Sequence, residues 1–258
     1  MSEYGLPNFS TELSGNVALV TGATSGLGRR FARVIADAGA DVAIAGRRAE
    51  KLKELQEEIE AAGGRCVPIV ADVTDADDLV SAVDQAESGL GTVTMLVNSA
   101  GIPDAQRAHR MSLDLIDAVI ATNLRAPFVL SVEVARRLIA AKQSGRIVNI
   151  SSIGAFHYDG DGAALYSTTK AAINRMTETL AVEWATNNIN VNAIAPGAFD
   201  TEMIAGMIER VGDFTPALPR KRIGHVAQLD STLLYLLSPS SDFVTGTTIK
   251  VDDGQKAR

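Results

Sequence analysis

Val17-Ala-Leu-Val-Thr21-Gly22-Ala-Thr-Ser-Gly26-Leu-Gly28 is the stretch whose reading decides the fold of this chain. Its first five residues are short, apolar and β-branched, which predicts a buried parallel strand. They run straight into a glycine turn, then into a helical pattern, Phe31, Val34 and Ile35, that stops at Gly39. In such a turn the glycines permit a tight bend and close approach to a phosphate, while the helix N-terminus supplies N–H donors and a positive dipole. The stretch therefore predicts dinucleotide binding, with Gly22, Thr24, Ser25, Gly26, Leu27 and Gly28 lining the ligand.

Working outward, a second strand at 41–45 ends at Gly46-Arg47-Arg48. A carboxylate there would hydrogen-bond the adenosine ribose hydroxyls, whereas guanidinium groups fit a 2′-phosphate. The carboxylate is absent and two arginines follow, so NADP(H) is the expected cofactor, with NAD(H) as the alternative. The plainer reading is that Arg47 and Arg48 begin an exposed helix at 50–61.

The alternation continues with a strand at 66–70 and a helix to about Ser88 capped by Thr74 or Asp75. Asp72, beside Val73, either contacts an adenine amino group or serves its own loop. A strand at 93–97 leads to Asn98-Ser99-Ala100-Gly101, whose small residues leave space against a cofactor. Residues 113–141 read as two helices interrupted near Arg125-Ala126-Pro127, with Asn123 just before the break, where an amide can hold water or bridge backbone groups. A strand at 146–151 is followed by Ser152, a polar loop and the helix carrying Tyr166 and Lys170, whose Ile173, Met176, Leu180 and Trp184 read as core. A strand at 190–194 precedes Pro196-Gly197-Ala-Phe-Asp-Thr201, a lid at about 199–222 follows, and a helix at 226–237 and a strand at 247–251 close the sheet.

The fold class is thus α/β: one Rossmann-type domain over 1–258, a doubly wound parallel sheet of about seven strands with helices on both faces, after a polar lead-in at 1–13. Ligands of such sheets lie outside the carboxyl ends of the strands.

Composition fits one domain of this kind: 258 residues, 46% hydrophobic and 21% charged. A net charge of -7 without a clustered basic excess argues against a nucleic-acid surface. The lone Cys66 excludes an internal disulfide and a thiolate metal cluster. No apolar run reads as a membrane span and no signal peptide is evident, so a cytoplasmic location without membrane is expected, and no metal.

Tyr166-x-x-x-Lys170 places a phenol and an ammonium one helical turn apart on one face. A phenol of pKa about 10 transfers protons poorly at neutral pH. A lysine charge at about 5 Å, with an effective dielectric of about 20, favours the phenolate by roughly 3 kcal/mol, so a lowered Tyr166 pKa is expected.

Together these residues resemble the short-chain dehydrogenase/reductase family, from about Leu13 to Gly254. The resemblance rests on Thr21–Gly28, Asp72-Val73, Asn98–Gly101, Asn123, Ser151-Ser152, Tyr166-x-x-x-Lys170 and Pro196-Gly197-x-x-x-Thr201. It implies that Tyr166 is the acid in ketone reduction and the base in alcohol oxidation, that Lys170 lowers its pKa and holds the nicotinamide ribose, that Ser152 polarises the substrate oxygen, and that Asn123 helps hold a proton-relaying water. It further implies cofactor contacts from Gly22, Asn98, Ala100, Gly101, Pro196, Gly197 and Thr201, and an assembly, commonly a tetramer and otherwise a dimer, paired through the long helices and the C-terminal strand. Ala171 and Ala172 would allow close helix contact, or would face this chain's own sheet. Three departures stand out: Ser99 replaces the usual second Asn, Ser25 the usual basic residue, and the loop from Ser152 to Tyr166 is about one residue longer, leaving Ser151 as an alternative substrate donor.

For substrate contact, His157 and Tyr158, near Asp159 and Asp161, could line a mouth, and Phe199 and Met203 could form an apolar wall or simply pack the lid. The expected activity is NADP(H)-dependent interconversion of a small-molecule ketone and secondary alcohol, 3-oxoacyl-thioester reductase-like. The alternatives are an NAD-dependent steroid or sugar alcohol dehydrogenase and, from another class, a non-catalytic NADP sensor or scaffold.

Overall fold

Seven short runs pair side by side in parallel: β1 (Val17–Thr21), β2 (Asp41–Gly46), β3 (Cys66–Val70), β4 (Met95–Asn98), β5 (Gly145–Ile150), β6 (Ile189–Pro196) and β7 (Thr248–Val251). The structure is a computed structural model in which residues 8–158, 160 and 162–255 are described. The sheet order is β3-β2-β1-β4-β5-β6-β7, so the winding reverses between β1 and β4. That reversal opens a crevice at the carboxyl ends of the two strands, where ligands of doubly wound sheets bind.

Because side chains alternate along a strand, each strand feeds two cores. Ala18, Val20, Val42, Ile44, Met95 and Val148 pack beneath α1 (Gly26–Asp37), α2 (Ala49–Ala61) and α8 (Asp230–Leu237). Leu19, Ala43, Leu96, Ile147 and Val191 face the other way, onto α3 (Ala76–Leu90), α5 (Ala126–Ala141) and α6 (Ala164–Glu183). Helices therefore cover both faces, as the continuous apolar strands require. Asp75 supplies the expected cap of α3, accepting from the N–H groups of Asp77 and Asp78.

Three expectations are corrected. The lead-in is not wholly polar surface: Leu13 is fully buried and its N–H donates to Ala38 O at 2.7 Å. Residues 113–141 are one helix instead of two, because α4 (Leu113–Ile120) passes through a π-turn (Ala121–Arg125) into α5. Pro127 lacks an N–H and its ring crowds the carbonyl four residues back, that of Asn123; one wide turn absorbs the conflict without ending the helix. Once joined, the helix is also long and apolar enough to cross a bilayer by length and composition, contrary to the expectation of no such run. It packs as a core helix, with Val119, Asn123, Ala126, Leu130, Val134 and Leu138 buried.

The segment expected as a lid contains α7 (Glu202–Val211), which has no buried residue and so contributes nothing to either core. Ala171 is exposed and Ala172 half-buried, so neither is buried against the chain's own sheet.

Candidate active site

The glycine turn is held against the end of β4. Gly22 has φ +68, and a side-chain carbon there would lie 2.8 Å from the Cα and N of Ala100. Gly28 faces Gly22 O so closely that any side chain would collide with it. The Thr21 hydroxyl accepts from the N–H groups of Ser99 at 3.1 Å and Ala100 at 3.2 Å, locking the two strand ends together. Ser25 occupies the N-cap of α1 without accepting a hydrogen bond from it, so the first-turn N–H groups remain available to an anion. These features fit a pyrophosphate cradle.

The two arginines behave differently. Arg48 donates to Thr24 Oγ1 at 3.1 and 3.0 Å and to Glu202 at 3.2 Å, and Glu202 also bonds Ser25. The start of α7 is thereby tied to the glycine turn, and the carboxyl of Glu202 sits below the usual range because of Arg48. Arg47 is well exposed, with Asp72 at 4.0 Å. Asp72 accepts from both the N–H and the hydroxyl of Thr74, which hold its carboxyl in the charged form, while Val73 is half-buried beside it. The loop role of Asp72 is thus observed.

The Asn98 side chain points into the layer between sheet and helices. Its amide donates to Asn149 Oδ1 at 2.8 Å and Ser131 Oγ at 3.2 Å, and Asn149 continues the chain to Thr177 at 3.0 Å. The Asn98 amide nitrogen is thereby committed to this layer and not to the crevice. Ala100 and Gly101 stand at its edge.

Tyr166 and Lys170 lie in the first two turns of α6, with the ammonium 5.6 Å from the ring centroid. Lys170 is buried and donates to Ile150 O at 2.7 Å. A side-chain carbon on Gly101 would lie 3.5 Å from Asn123 Oδ1 and 3.6 Å from Lys170 Nζ, so Gly101 leaves open the space between these groups. Asn123, fully buried in the π-turn, bridges the main chain of Ile102, accepting its N–H and donating to its carbonyl, both at 2.9 Å. The hydroxyls of Ser152 and Tyr166 are hydrogen-bonded, and Ser152 Oγ also accepts from Gly154 N–H at 3.0 Å. Ser151 is turned away, its buried hydroxyl donating to Lys170 O at 3.1 Å, which removes it as the alternative substrate donor. Asn123, Ser152, Tyr166 and Lys170 are therefore brought together.

The electrostatics correct one expectation. Burial pushes the Tyr166 phenol up, the Ser152 hydrogen bond pulls it down, and the Asp104 charge raises it further, so the net direction is upward. Burial brings Lys170 down to about 8. Helical spacing fixed the distance between the pair but not the desolvation, which here outweighs the attraction.

Thr201 caps α7, and its methyl group lies 3.2 Å from the place a side-chain carbon would take on Gly26. Pro196 ends β6, and Gly197 N–H donates to Val251 O at 2.9 Å. Phe199 is 6% exposed and wedged under Gly224 within the core, so it is not an apolar substrate wall. Met203 is half-buried in α7, and His157 and Tyr158 are exposed in the loop before α6; Asp159 and Asp161 lie outside the described residues. Sequence reasoning placed Thr21 in the glycine motif without its link to Ser99 and Ala100, and missed Asp104, Glu202 and Gln255, the last accepting from Ala198 N–H at 2.7 Å. Their partners are distant in sequence, and no local spacing signals them. A separate groove of about 350 Å³, lined by Arg33, Asp37, Glu58 and Arg65, lies at the amino ends of the strands, away from these groups.

The family profile described as short chain dehydrogenase matches residues 16–211. The 2-dehydro-3-deoxy-D-gluconate 5-dehydrogenase of Dickeya dadantii is 37% identical over 95% of this chain and 97% of its own length. The 3-oxoacyl-[acyl-carrier-protein] reductase of Thermotoga maritima is 35% identical over 94% of this chain and 98% of its own. Among solved structures, a blue fluorescent protein from a metagenomic library in complex with NADPH superposes with a TM-score of 0.88 at 35% identity, over 95% of this chain and 100% of that one.

Proposed function

The chain belongs to the short-chain dehydrogenase family, oxidoreductases that act on CH–OH and keto groups with a nicotinamide cofactor, and on that premise we propose that it is NADP(H)-dependent, with Tyr166 as the acid/base. The observation that carries this reading is the convergence of Tyr166, Ser152, Lys170 and Asn123 beside a glycine turn shaped for pyrophosphate. Support for NADP(H) comes from Arg47, exposed at the end of β2, from Arg48 beside Thr24, and from the NADPH complex of a relative of the same fold.

The cofactor would be held by the glycine turn, the backbone at Asn98–Gly101, Lys170, Pro196-Gly197 and Thr201, and when bound it supplies hydride to a carbonyl carbon. Tyr166 donates its proton to the carbonyl oxygen as charge develops there, and Ser152 donates a second hydrogen bond to the same atom. The proton is replaced along Lys170 and a water near Asn123, whose carbonyl has lost its α-helical donor to Pro127. Oxidation of the alcohol runs the same steps backwards.

We assign a 3-oxoacyl-thioester type of carbonyl as the substrate class. A second reading, a polyhydroxy acid or sugar alcohol, is favoured by the gluconate-type relative. A panel of both classes, followed by nicotinamide absorbance with NADPH and NADH, decides between them; no turnover on any member despite tight cofactor binding would support a sensor instead. For assembly we propose a homotetramer or homodimer, supported by exposed Leu113, Ile120, Phe128 and Ile139 on α4 and α5 and by exposed Ala171 on α6. Sedimentation velocity tests it, and a monomer at micromolar concentration would refute it.

A further inference from the structure

We propose that Asp104 is a positioning residue for Tyr166: its buried carboxylate, on the loop after β4, caps the first turn of α6 and thereby fixes where the phenol stands. The inference rests on the acid/base reading above. Tyr166 is the third residue of α6, inside the turn whose N–H groups have no partner within the helix. Ala163 at the N-cap offers no side-chain acceptor. Asp104, some sixty residues away, does so: its Oδ2 accepts from the N–H groups of Leu165 at 2.9 Å and Tyr166 at 3.1 Å, while Oδ1 accepts from Ala105 at 2.8 Å.

The choice of residue is informative. Asp104 is 2% exposed, and among the described residues no lysine, arginine or histidine pairs with it. A serine or asparagine would cap a helix about as well without the cost of burying a charge. The N–H groups and the helix dipole stabilise the carboxylate, and its charge adds to burial, the larger cause, in keeping the Tyr166 phenol in the protonated form that reduction needs. The groups facing the phenol are Lys170 from its own helix, Ser152 from the loop after β5 and Asp104 from the loop after β4.

The same loop reaches the other catalytic residues. Ile102 is gripped through both main-chain groups by Asn123, two residues before Asp104. Farther along, a side-chain carbon at Gly162 would lie 3.2 Å from the Gln106 backbone, so the loop is packed against the entrance to α6. Residues 102–107 thus form a strap from the π-turn to the tyrosine.

The test uses Asp104→Asn and Asp104→Ala in the full-length protein, with alcohol oxidation followed across pH and folding checked by circular dichroism. Asp104→Asn, which keeps the shape and removes the charge, moves the acidic limb of kcat/KM to lower pH. Asp104→Ala loses about tenfold or more in kcat while the KM for cofactor holds, and Asp104→Glu restores part of it. An Asp104→Asn profile that superimposes on wild type overturns the inference, as does a folded Asp104→Ala variant with unchanged kcat. If Tyr166→Phe is inactive while the Asp104 variants match wild type, only the positioning role falls; if Tyr166→Phe remains active, the acid/base reading falls and takes this inference with it.

Discussion

Lys170 donates to the carbonyl of Ile150 at 2.7 Å while standing 5.6 Å from the centre of the Tyr166 ring. One buried ammonium thus ties α6 to the end of β5 and holds a positive charge beside the phenol. The fold bears a cost for it: burial lowers the Lys170 pKa to about 8.

That cost has a defined pH dependence. The folded-state pKa lies below the unfolded one, so between pH 8 and 10.5 the unfolded chain binds more protons and stability gained through Lys170 rises with pH. Below pH 8 the penalty is fully present. Lys170→Met should therefore stabilise the protein at neutral pH by about 1 kcal/mol or more after the lost hydrogen bond is counted, and should flatten the rise in stability above pH 8. Turnover should fall at least about a hundredfold. Chemical denaturation of both proteins across that range measures the first effect, and an unchanged slope would contradict the buried-charge account.

The two adjacent serines separate cleanly. Ser152 faces Tyr166, whereas Ser151 is bonded to Lys170 O. Ser152→Ala should lower kcat about a hundredfold with little change in melting temperature. Ser151→Ala should cost about 1 kcal/mol of stability and keep kcat close to wild type. Parallel kinetics and thermal melts check both, and the reverse pattern would exchange their roles.

Cofactor choice should depend most on Arg47, because Arg48 is already shared between Thr24 and Glu202. Arg47→Asp should lower the preference for NADPH over NADH at least about tenfold, read as the ratio of kcat/KM values. Glu202→Gln should release Arg48 and lower the KM for NADPH. A wild-type preference for NADH would refute the cofactor assignment.

The alternation of strands and helices was legible because strands buried on both faces read as continuous apolar runs bounded by glycine and aspartate. The glycine turn and the Tyr-x-x-x-Lys spacing were legible for the same local reason. What escaped depended on contacts distant in sequence. Pro127 reads as a helix stop, yet packing carries the helix through as a π-turn. Phe199 reads equally as a cleft wall or as packing of its own segment until Gly224 is seen against it. Asn98 stands in a motif that borders the crevice, but whether its amide faces ligand or core depends on Asn149 and Ser131 across the sheet. The direction of the Tyr166 shift could not be read from spacing, since it depends on burial and on Asp104.

Asn123 should prove structural as well as functional. Asn123→Ala leaves both main-chain groups of Ile102 without their partner, at about 2 kcal/mol or more. The melting temperature should drop together with kcat, and a variant as stable as wild type would show that the bridge is dispensable.

The central claim is that Tyr166 moves the proton. Tyr166→Phe keeps the ring and removes the hydroxyl, so single-turnover reduction of an accepted carbonyl, alongside NADPH binding by fluorescence titration, tests it most directly. The account predicts loss of nearly all turnover, at least about a thousandfold, with cofactor affinity retained. A variant that binds NADPH and keeps most of its turnover would contradict it.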